Sequence, residues 1–528
     1  MFDAVVVGAG HNGLVAANLL ADAGWDVVVL EAQPVPGGAV RSAPLTASGF
    51  INDTCSSFYP FAMGPSPLAG LHLEDFGLRW HHAPTVLTHL TPEGGAASLF
   101  RDPTATRESV GSWAPDDGER WLRLCAYWRG VERGLLGSIF TPFPPLRPAL
   151  GLLRAAGLGG TMRLARKLLM PATALGRELF TGDGARLLLG GLALHSDVPL
   201  TAAASGGYGL LMAMVAQQYG FPVPEGGAGA LTAALVDRLR RHGGEVICAA
   251  PVTSIGLTHG AARRVGVADG RVFVARRAVI ADVAATALYD RLLPQAAVPP
   301  RVRADLAAFQ YDPSTVKVDW ALDGPVPWRH PAAAGAGTVH LGVDVAGMAR
   351  YANELESGRV PDQPMLVCGQ MTTADPTRSP AGTESFWAYT RLPHRRDWSG
   401  RDVADVVERM EQTLAEHAPG FADRVLARHV AGPAQMEQEN ANLVGGALGG
   451  GTSAIHQQLF LRPVPGIGRA DTPVDRLFLA SASAHPGGGV HGGPGANAAR
   501  AALARDRTGS GRIYRGITRA AQRTLYRT

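Results

Sequence analysis

Residues 3–31 read DAVVVGAGHNGLVAANLLADAGWDVVVLE, and this stretch decides the fold. Asp3 to Val7, apolar from Ala4 onward, reads as a short strand buried on both faces. It passes directly into Gly8-Ala9-Gly10-His11-Asn12-Gly13, and Leu14 to Ala23 continues as a helical run. In this setting Gly8 permits the tight turn, Gly10 lets backbone N–H groups approach a pyrophosphate, and Gly13 lets the helix pack close on the strand. The helix N-terminus supplies the anion site. A second strand, Asp26 to Leu30, ends in Glu31, where a carboxylate can accept both ribose hydroxyls of an adenosine.

Both NAD and FAD bury an ADP moiety in this way, and the residues that follow separate them. After Glu31 the chain runs through Pro36 to Gly37-Gly38 and on to Arg41, an extension that plain NAD binding does not need. A glycine pair here brings backbone against the cofactor a second time, with Arg41 near its phosphates. In these residues the sequence resembles the FAD-dependent amine oxidase and phytoene desaturase superfamily, which implies FAD as cofactor.

The resemblance continues along the chain. Gly226-Gly227, Leu231 to Leu239, Gly243 to Val246 and Pro251 to Ile255 read as a turn, a helix and a strand returning to the sheet. The superfamily resemblance makes Val252 the backbone contact to the adenine. Val265 to Ala268, Arg271 to Ala275 and Ala278 to Ala281 then read as hairpin strands and a return to the parallel sheet. Arg476 to Ala480 is another apolar strand, followed by His485-Pro486-Gly487-Gly488-Gly489-Val490-His491-Gly492-Gly493-Pro494-Gly495 and one helix, Ala496 to Ala504. Gly487, Gly489 and Gly492 match GxGxxG formally, yet no fresh βαβ unit follows, so the loop reads as backbone that lies against the flavin at Gly488, Gly489 and Val490. This string resembles the phytoene-desaturase-like branch. Pro313 to Leu322, Asp375 to Pro380, and Asn442 to Gly450 leading to Gln458 and Arg462-Pro463 agree with it, up to about residue 505. The tail beyond Arg505 lies outside the shared pattern.

With 528 residues, 46% of them hydrophobic, the chain can bury more than one core. The expected architecture is α/β: a Rossmann-like FAD/NAD(P)-binding domain, with a parallel sheet plus a β-hairpin layer, and an interleaved α+β substrate domain. Residues 1–75, 225–290 and 436–505 are assigned to the discontinuous FAD-binding domain, 76–224 and 291–435 to the substrate domain, and 506–528 to a basic C-terminal tail. The formal charge is only +4, and seven arginines against the single acid Asp506 fall between Arg505 and the end. The near-neutral remainder lacks the electrostatic footprint of a nucleic-acid binder. Cys55, Cys125, Cys248 and Cys368 form no C-x-x-C pair, so neither a zinc site nor a redox dithiol is expected, and a reduced, cytoplasmic compartment fits best. The first strand starts too early to leave room for an export signal. Val198 to Gln218 is uncharged after Asp197, but its prolines, glycines and glutamines favour a buried helical segment over a membrane span.

Hydride transfer needs little from the protein beyond placing a substrate C–H over the flavin. Candidate acid-base groups are His485 and His491 beside the glycine loop, read as local hydrogen-bonding residues, and Lys317, read as lying on the surface of a half-buried strand from Thr315 to Leu322. His195 and Asp197 lie within the apolar first insertion, whose helical patterns, Ala185 to Leu194 and Gly209 to Gln217, suit either core packing or a tunnel for an isoprenoid or polyene. The expected activity is a dehydrogenase or desaturase acting on an apolar small molecule. The alternatives are an amine oxidase, against which the aromatic-poor C-terminal loop argues, and a flavin-bound regulatory protein with little turnover. Arg512, Arg515, Arg519 and Arg523 recur on one helical face, making the tail either a peripheral membrane-surface helix, at the inner face of a membrane, or a solvated segment.

Overall fold

A computed structural model describes residues 1–526. The nucleotide-type sheet is built from β1 (Phe2–Val7), β2 (Val27–Leu30), β3 (Glu245–Ile247), β4 (Val252–Thr258), β5 (Ala261–Val267), β6 (Val272–Ala281) and β7 (Leu477–Leu479), in the order β4-β5-β6-β1-β2-β3 with β7 on the far side of β6. β6 performs two tasks. Its first residues pair antiparallel with β5, completing the hairpin layer, while Ala275 to Ala281 pair parallel with β1 and Val279 to Ala281 also with β7. The segments read separately from sequence as 271–275 and 278–281 are thus one strand. The parallel strands are buried on both faces, as their unbroken apolar runs require. Helices α1 (His11–Asp22), α2 (Ala228–Arg241) and α3 (Gly493–Asp506) cover one side.

A second seven-stranded sheet has the order Val425–Ala431, Ser314–Leu322, Glu384–Leu392, Leu366–Gln370, Ala336–Leu341, Thr85–Leu90, Ala96–Leu99. All its ladders are antiparallel except Ala336–Leu341 with Thr85–Leu90. The last two strands come from early in the chain and the rest from beyond residue 300, so two insertions close one sheet. Helix Gly400–His417 packs on one face through Val406, Met410 and Leu414, and the helices Pro115–Ile139, Asp183–Ala193 and Ser205–Tyr219 build a separate core on the other.

This arrangement corrects the reading of strand Ser314–Leu322. Its alternation is real: Val316, Val318, Trp320 and Leu322 join the core under helix Gly400–His417. Its opposite face meets the nucleotide-type unit rather than water, however, so all nine residues are buried and Lys317, expected at the surface, is only 2% exposed. The segment from Val198 is a turn-rich stretch that becomes helical only at Ser205. Among the described residues no helix is long and apolar enough to cross a membrane. The basic tail folds as helix α4 (Ser510–Leu525), which docks through Tyr514 to Asp471 (2.6 Å) and Gln522 to the carbonyl of Thr472 (2.9 Å).

Candidate functional site

The glycine loop sits at the carboxyl ends of β1 and β6, the crevice where open α/β sheets take ligands. Gly8 has φ +96°, and a methyl on Gly13 would overlap the carbonyl oxygen of Gly8, so both positions require glycine. Gly10 caps α1 without offering a side-chain acceptor, which leaves the N–H groups of His11 and Asn12 for an anion, while that of Gly13 is taken by Asp282. Glu31 is buried at the end of β2; its carboxylate accepts from the N–H of Ala9 (2.8 Å) and of Gln33 (2.9 Å), which holds it beside the loop. Val252 opens β4 just after Ala249 and Ala250, whose N–H groups bond the carbonyls of Gln33 and Glu31. Val252 therefore lies on the Glu31 side.

Gly37 forms a parallel bridge with Gly10, and its N–H donates to the carbonyl of Ala9 (2.8 Å). Gly38, at φ +58°, packs against Gly10. Arg41 folds back to donate to the carbonyl of Gly38 (2.9 Å) and reaches the carbonyl of Glu439 (3.2 Å). The C-terminal loop completes the arrangement: His11 on α1 meets the carbonyl of Gly489 (3.2 Å), while Gly488 backs onto Gly449 and both Gly488 and Gly489 stay exposed. Gly495 lies so close to the carbonyl of Asn12 that the N-termini of α1 and α3 converge on one place. Two backbone surfaces, Gly8–Gly13 with Gly37–Gly38 and the loop Gly488–Val490, thus face a common crevice. The buried Oδ1 of Asn12, in the first turn of α1, has no protein partner. Such a crevice fits an extended dinucleotide.

His485 and His491 both make local hydrogen bonds. His485 Nε2 lies 3.2 Å from the carbonyl of Thr141, and burial lowers its pKa. His491 accepts from the N–H of Gly493 at Nδ1 (2.9 Å), and burial with the neighbouring His11 pushes it down to about 3, so it stays neutral. Lys317 bonds both carboxylate oxygens of Asp319 and the carbonyl of Asp53 (3.0 Å), which leaves its ammonium no hydrogen for a reaction. Asp53 also receives Arg378 (2.9 Å), and this pair is fully buried. Burial raises the pKa of Asp319, and the ammonium opposes that.

Further residues, among them Asp282 and Asp312, which sequence reasoning passed over, complete the site. Asp282, one residue beyond β6, accepts from the N–H of Gly13 (2.8 Å). Its position at the end of the strand flanking β1 was a usable signal. Asp312 gathers the N–H groups of Leu448 (2.7 Å) and Gly449 (2.8 Å), and the buried Arg462 donates to the carbonyls of Gly449 (2.9 Å), Thr452 (2.8 Å) and Ala482 (2.7 Å). Together they fix the loop beneath Gly488. His195, from the apolar insertion, pairs with His340 (Nε2 to Nε2, 2.9 Å), and Asp197 pairs with Arg391 (2.7 Å). Burial drives His195 down to about 4 and Asp197 up to about 7. Beside this cluster the rings of Trp387 and Tyr389 stack at 6.0 Å, with Lys317 over the first and Arg391 over the second. Cys55, Met436, Leu443 and Leu448 form an adjoining apolar cluster.

A model of NAD(P)-binding Rossmann-like domains matches residues 6–84, and a model of flavin containing amine oxidoreductases matches residues 146–502. The chain is 26% identical to mouse pyridine nucleotide-disulfide oxidoreductase domain-containing protein 2, covering 94% of this chain and 92% of that one. It is likewise 26% identical to the lycopene-forming phytoene desaturase of Pseudescherichia vulneris, covering 92% and 96%. Among solved structures, putrescine oxidase bound to putrescine superposes with a TM-score of 0.59 at 18% identity over 95% of this chain and 98% of that chain, a likeness of fold.

Proposed function

The chain belongs to the flavin-containing amine oxidoreductase family and is an FAD-dependent oxidoreductase, and from that premise we propose that it dehydrogenates an apolar, isoprenoid- or polyene-like substrate. FAD supplies the hydride acceptor. In this reading Gly8, Gly10 and Gly13 with the N-terminus of α1 hold its pyrophosphate, Glu31 its ribose, Val252 its adenine, and Gly37, Gly38 and Arg41 its central part. Gly488, Gly489 and Val490 then lie along the flavin. Residues 1–75, 225–290 and 436–505 form the cofactor unit and 76–224 with 291–435 the substrate unit, a division supported by the membership of the two sheets.

One observation carries the choice of substrate. The aromatic faces of Trp387 and Tyr389, the natural seat for a cationic amine, are already covered by Lys317 and Arg391. Both cations are already ion-paired, Lys317 with Asp319 and Arg391 with Asp197, so an incoming ammonium would have to displace a paired cation to reach these rings, whereas a neutral hydrocarbon would not. The phytoene desaturase relative, named for a polyene, supports the same choice. His195, His340 and His491 are held neutral and contribute shape and hydrogen bonding rather than proton transfer. We further infer peripheral contact with a membrane through the basic tail, at the inner face, as the source of such a substrate.

Anaerobic mixing of the holoenzyme with a panel of polyenes and of primary amines tests the reading. Loss of the long-wavelength flavin absorbance with a polyene and not with an amine is the expected result; the reverse assigns C–N oxidation.

A further inference from the structure

We propose that two acid-free helices, Leu146–Leu169 and α4, form one docking surface for an anionic lipid bilayer, with an apolar cavity against α4 beside the residues that precede the longer helix. The idea deepens the reading of an apolar substrate by naming where the molecule meets the lipid, and it widens the membrane contact from the tail to a second element.

Three observations converge. The first is charge: nine of the chain's 49 basic residues lie on these two helices and none of its 45 acidic ones, so that without them a net +4 becomes a net −5. Arg166 bridges Glu178, Lys167 sits over Tyr127 and Arg519 reaches Asp475. Arg147, Arg154, Arg163, Arg512, Arg515 and Arg523 make no ion pair among the described residues. The second is exposed apolar surface. On the longer helix Leu158 and Met162 stand 69% and 66% exposed, with Leu146, Leu150 and Leu153 forming a similar stripe before the break at Gly157. On α4, Ile513 and Ile517 are 66% and 65% exposed one turn apart. Large aliphatic side chains beside arginines form the pattern of an interfacial helix, which sinks its apolar face into the headgroup boundary.

The third observation is continuity with the site. A cavity of about 620 Å³ is lined by Phe143 and Pro144, which lead into the longer helix, by Phe460 and Ile467, and by Tyr514 and Ile517 of α4. The stretch from Phe140 to Pro144 joins this cavity to the glycine loop: Phe143 contacts Phe460 (5.2 Å between centroids), while Phe140 lies against His491 (5.0 Å) and Thr141 receives His485. The cavity and the glycine loop thus pack against opposite ends of one five-residue stretch.

Flotation of the FAD-loaded full chain with vesicles tests the surface without any turnover. Vesicles of equal phosphatidylcholine and phosphatidylglycerol should carry the protein, and pure phosphatidylcholine should bind it on the order of tenfold or more weakly. Ile513→Glu with Ile517→Glu, and separately Leu158→Glu with Met162→Glu, should each weaken partition about tenfold or more, the positions being too exposed to unfold the chain. Retained FAD and an unchanged thermal midpoint confirm folding. Unchanged partition in both variants overturns the proposal. So does a failure to float combined with a dimer in sedimentation that the same substitutions split, which would assign the surface to a second copy. Either result leaves the substrate reading, judged by flavin bleaching in detergent, untouched.

Discussion

Asp282 Oδ2 accepts a hydrogen bond from the backbone N–H of Gly13 at 2.8 Å, so the end of β6 is tied by a carboxylate to the start of α1. A methyl on Gly10 would lie 2.7 Å from the same oxygen, and the glycine loop is therefore moulded around this side chain. Burial raises Asp282 to about 7, the Gly13 bond lowers it, and the charge of Glu31 raises it again.

That shift has a definite sign. A carboxyl raised from 3.8 to about 7 keeps its proton in the folded chain where the unfolded chain has lost it, so its contribution to stability declines as pH rises through that window. Buried histidines such as His195, lowered to about 4, act in the opposite sense over much of the same range. The variant isolates the first effect: Asp282→Asn should gain on the parent protein in urea unfolding as pH rises from about 5 to about 8, by on the order of a few kcal/mol. A constant difference across that range would contradict the assignment.

The close approach of α3 to α1 predicts a steric result. Gly495→Ala puts a methyl into the carbonyl of Asn12, and Gly13→Ala puts one into that of Gly8. Each should cost about 1–3 kcal/mol and reduce bound FAD, since both distort the helix ends around the crevice. Gly516→Ala, in the middle of α4 with open space around it, should instead be neutral or stabilise by up to about 1 kcal/mol. Thermal unfolding and the flavin-to-protein absorbance ratio read all three.

The first βαβ unit was legible because its information is local: an apolar run, glycines at set spacing and a terminal acid specify strand, turn, helix and second strand within Asp3 to Glu31. The loop His485 to Gly495 was legible for a similar reason. Lys317 was not, because the burial of its face depends on Asp53, which lies 264 residues away in sequence. Period-two alternation reports which residues share a face and cannot report what covers that face. Arg391 with Asp197 and Arg462 with its ring of carbonyls were missed on the same ground, since each pairing crosses segments that only the tertiary fold brings together.

Burial of the Lys317–Asp319 pair predicts a large loss when one member goes. Lys317→Met strands a carboxylate in the interface between the two sheets and should destabilise by about 3–5 kcal/mol. Lys317→Met with Asp319→Leu should recover much of that loss. Urea unfolding of the single and double variants checks both statements; an effect below about 1 kcal/mol for the single variant would place Lys317 among exposed pairs.

Glu31 predicts an effect on the cofactor as well as on folding. Glu31→Gln keeps the shape but replaces two charge-assisted acceptors, so FAD affinity should fall roughly 10- to 100-fold. Equilibrium dialysis with FAD measures the change, and the thermal midpoint of the apoprotein should fall as well, because the same carboxylate accepts from the N–H groups of Ala9 and Gln33.

The most direct test of the whole account is the absorbance spectrum of the purified protein together with the mass of the chromophore released on denaturation. The account predicts a flavin spectrum and about one FAD per chain, held where one dinucleotide crevice is built. A colourless protein that reconstitutes with neither FAD nor a nicotinamide dinucleotide would contradict it.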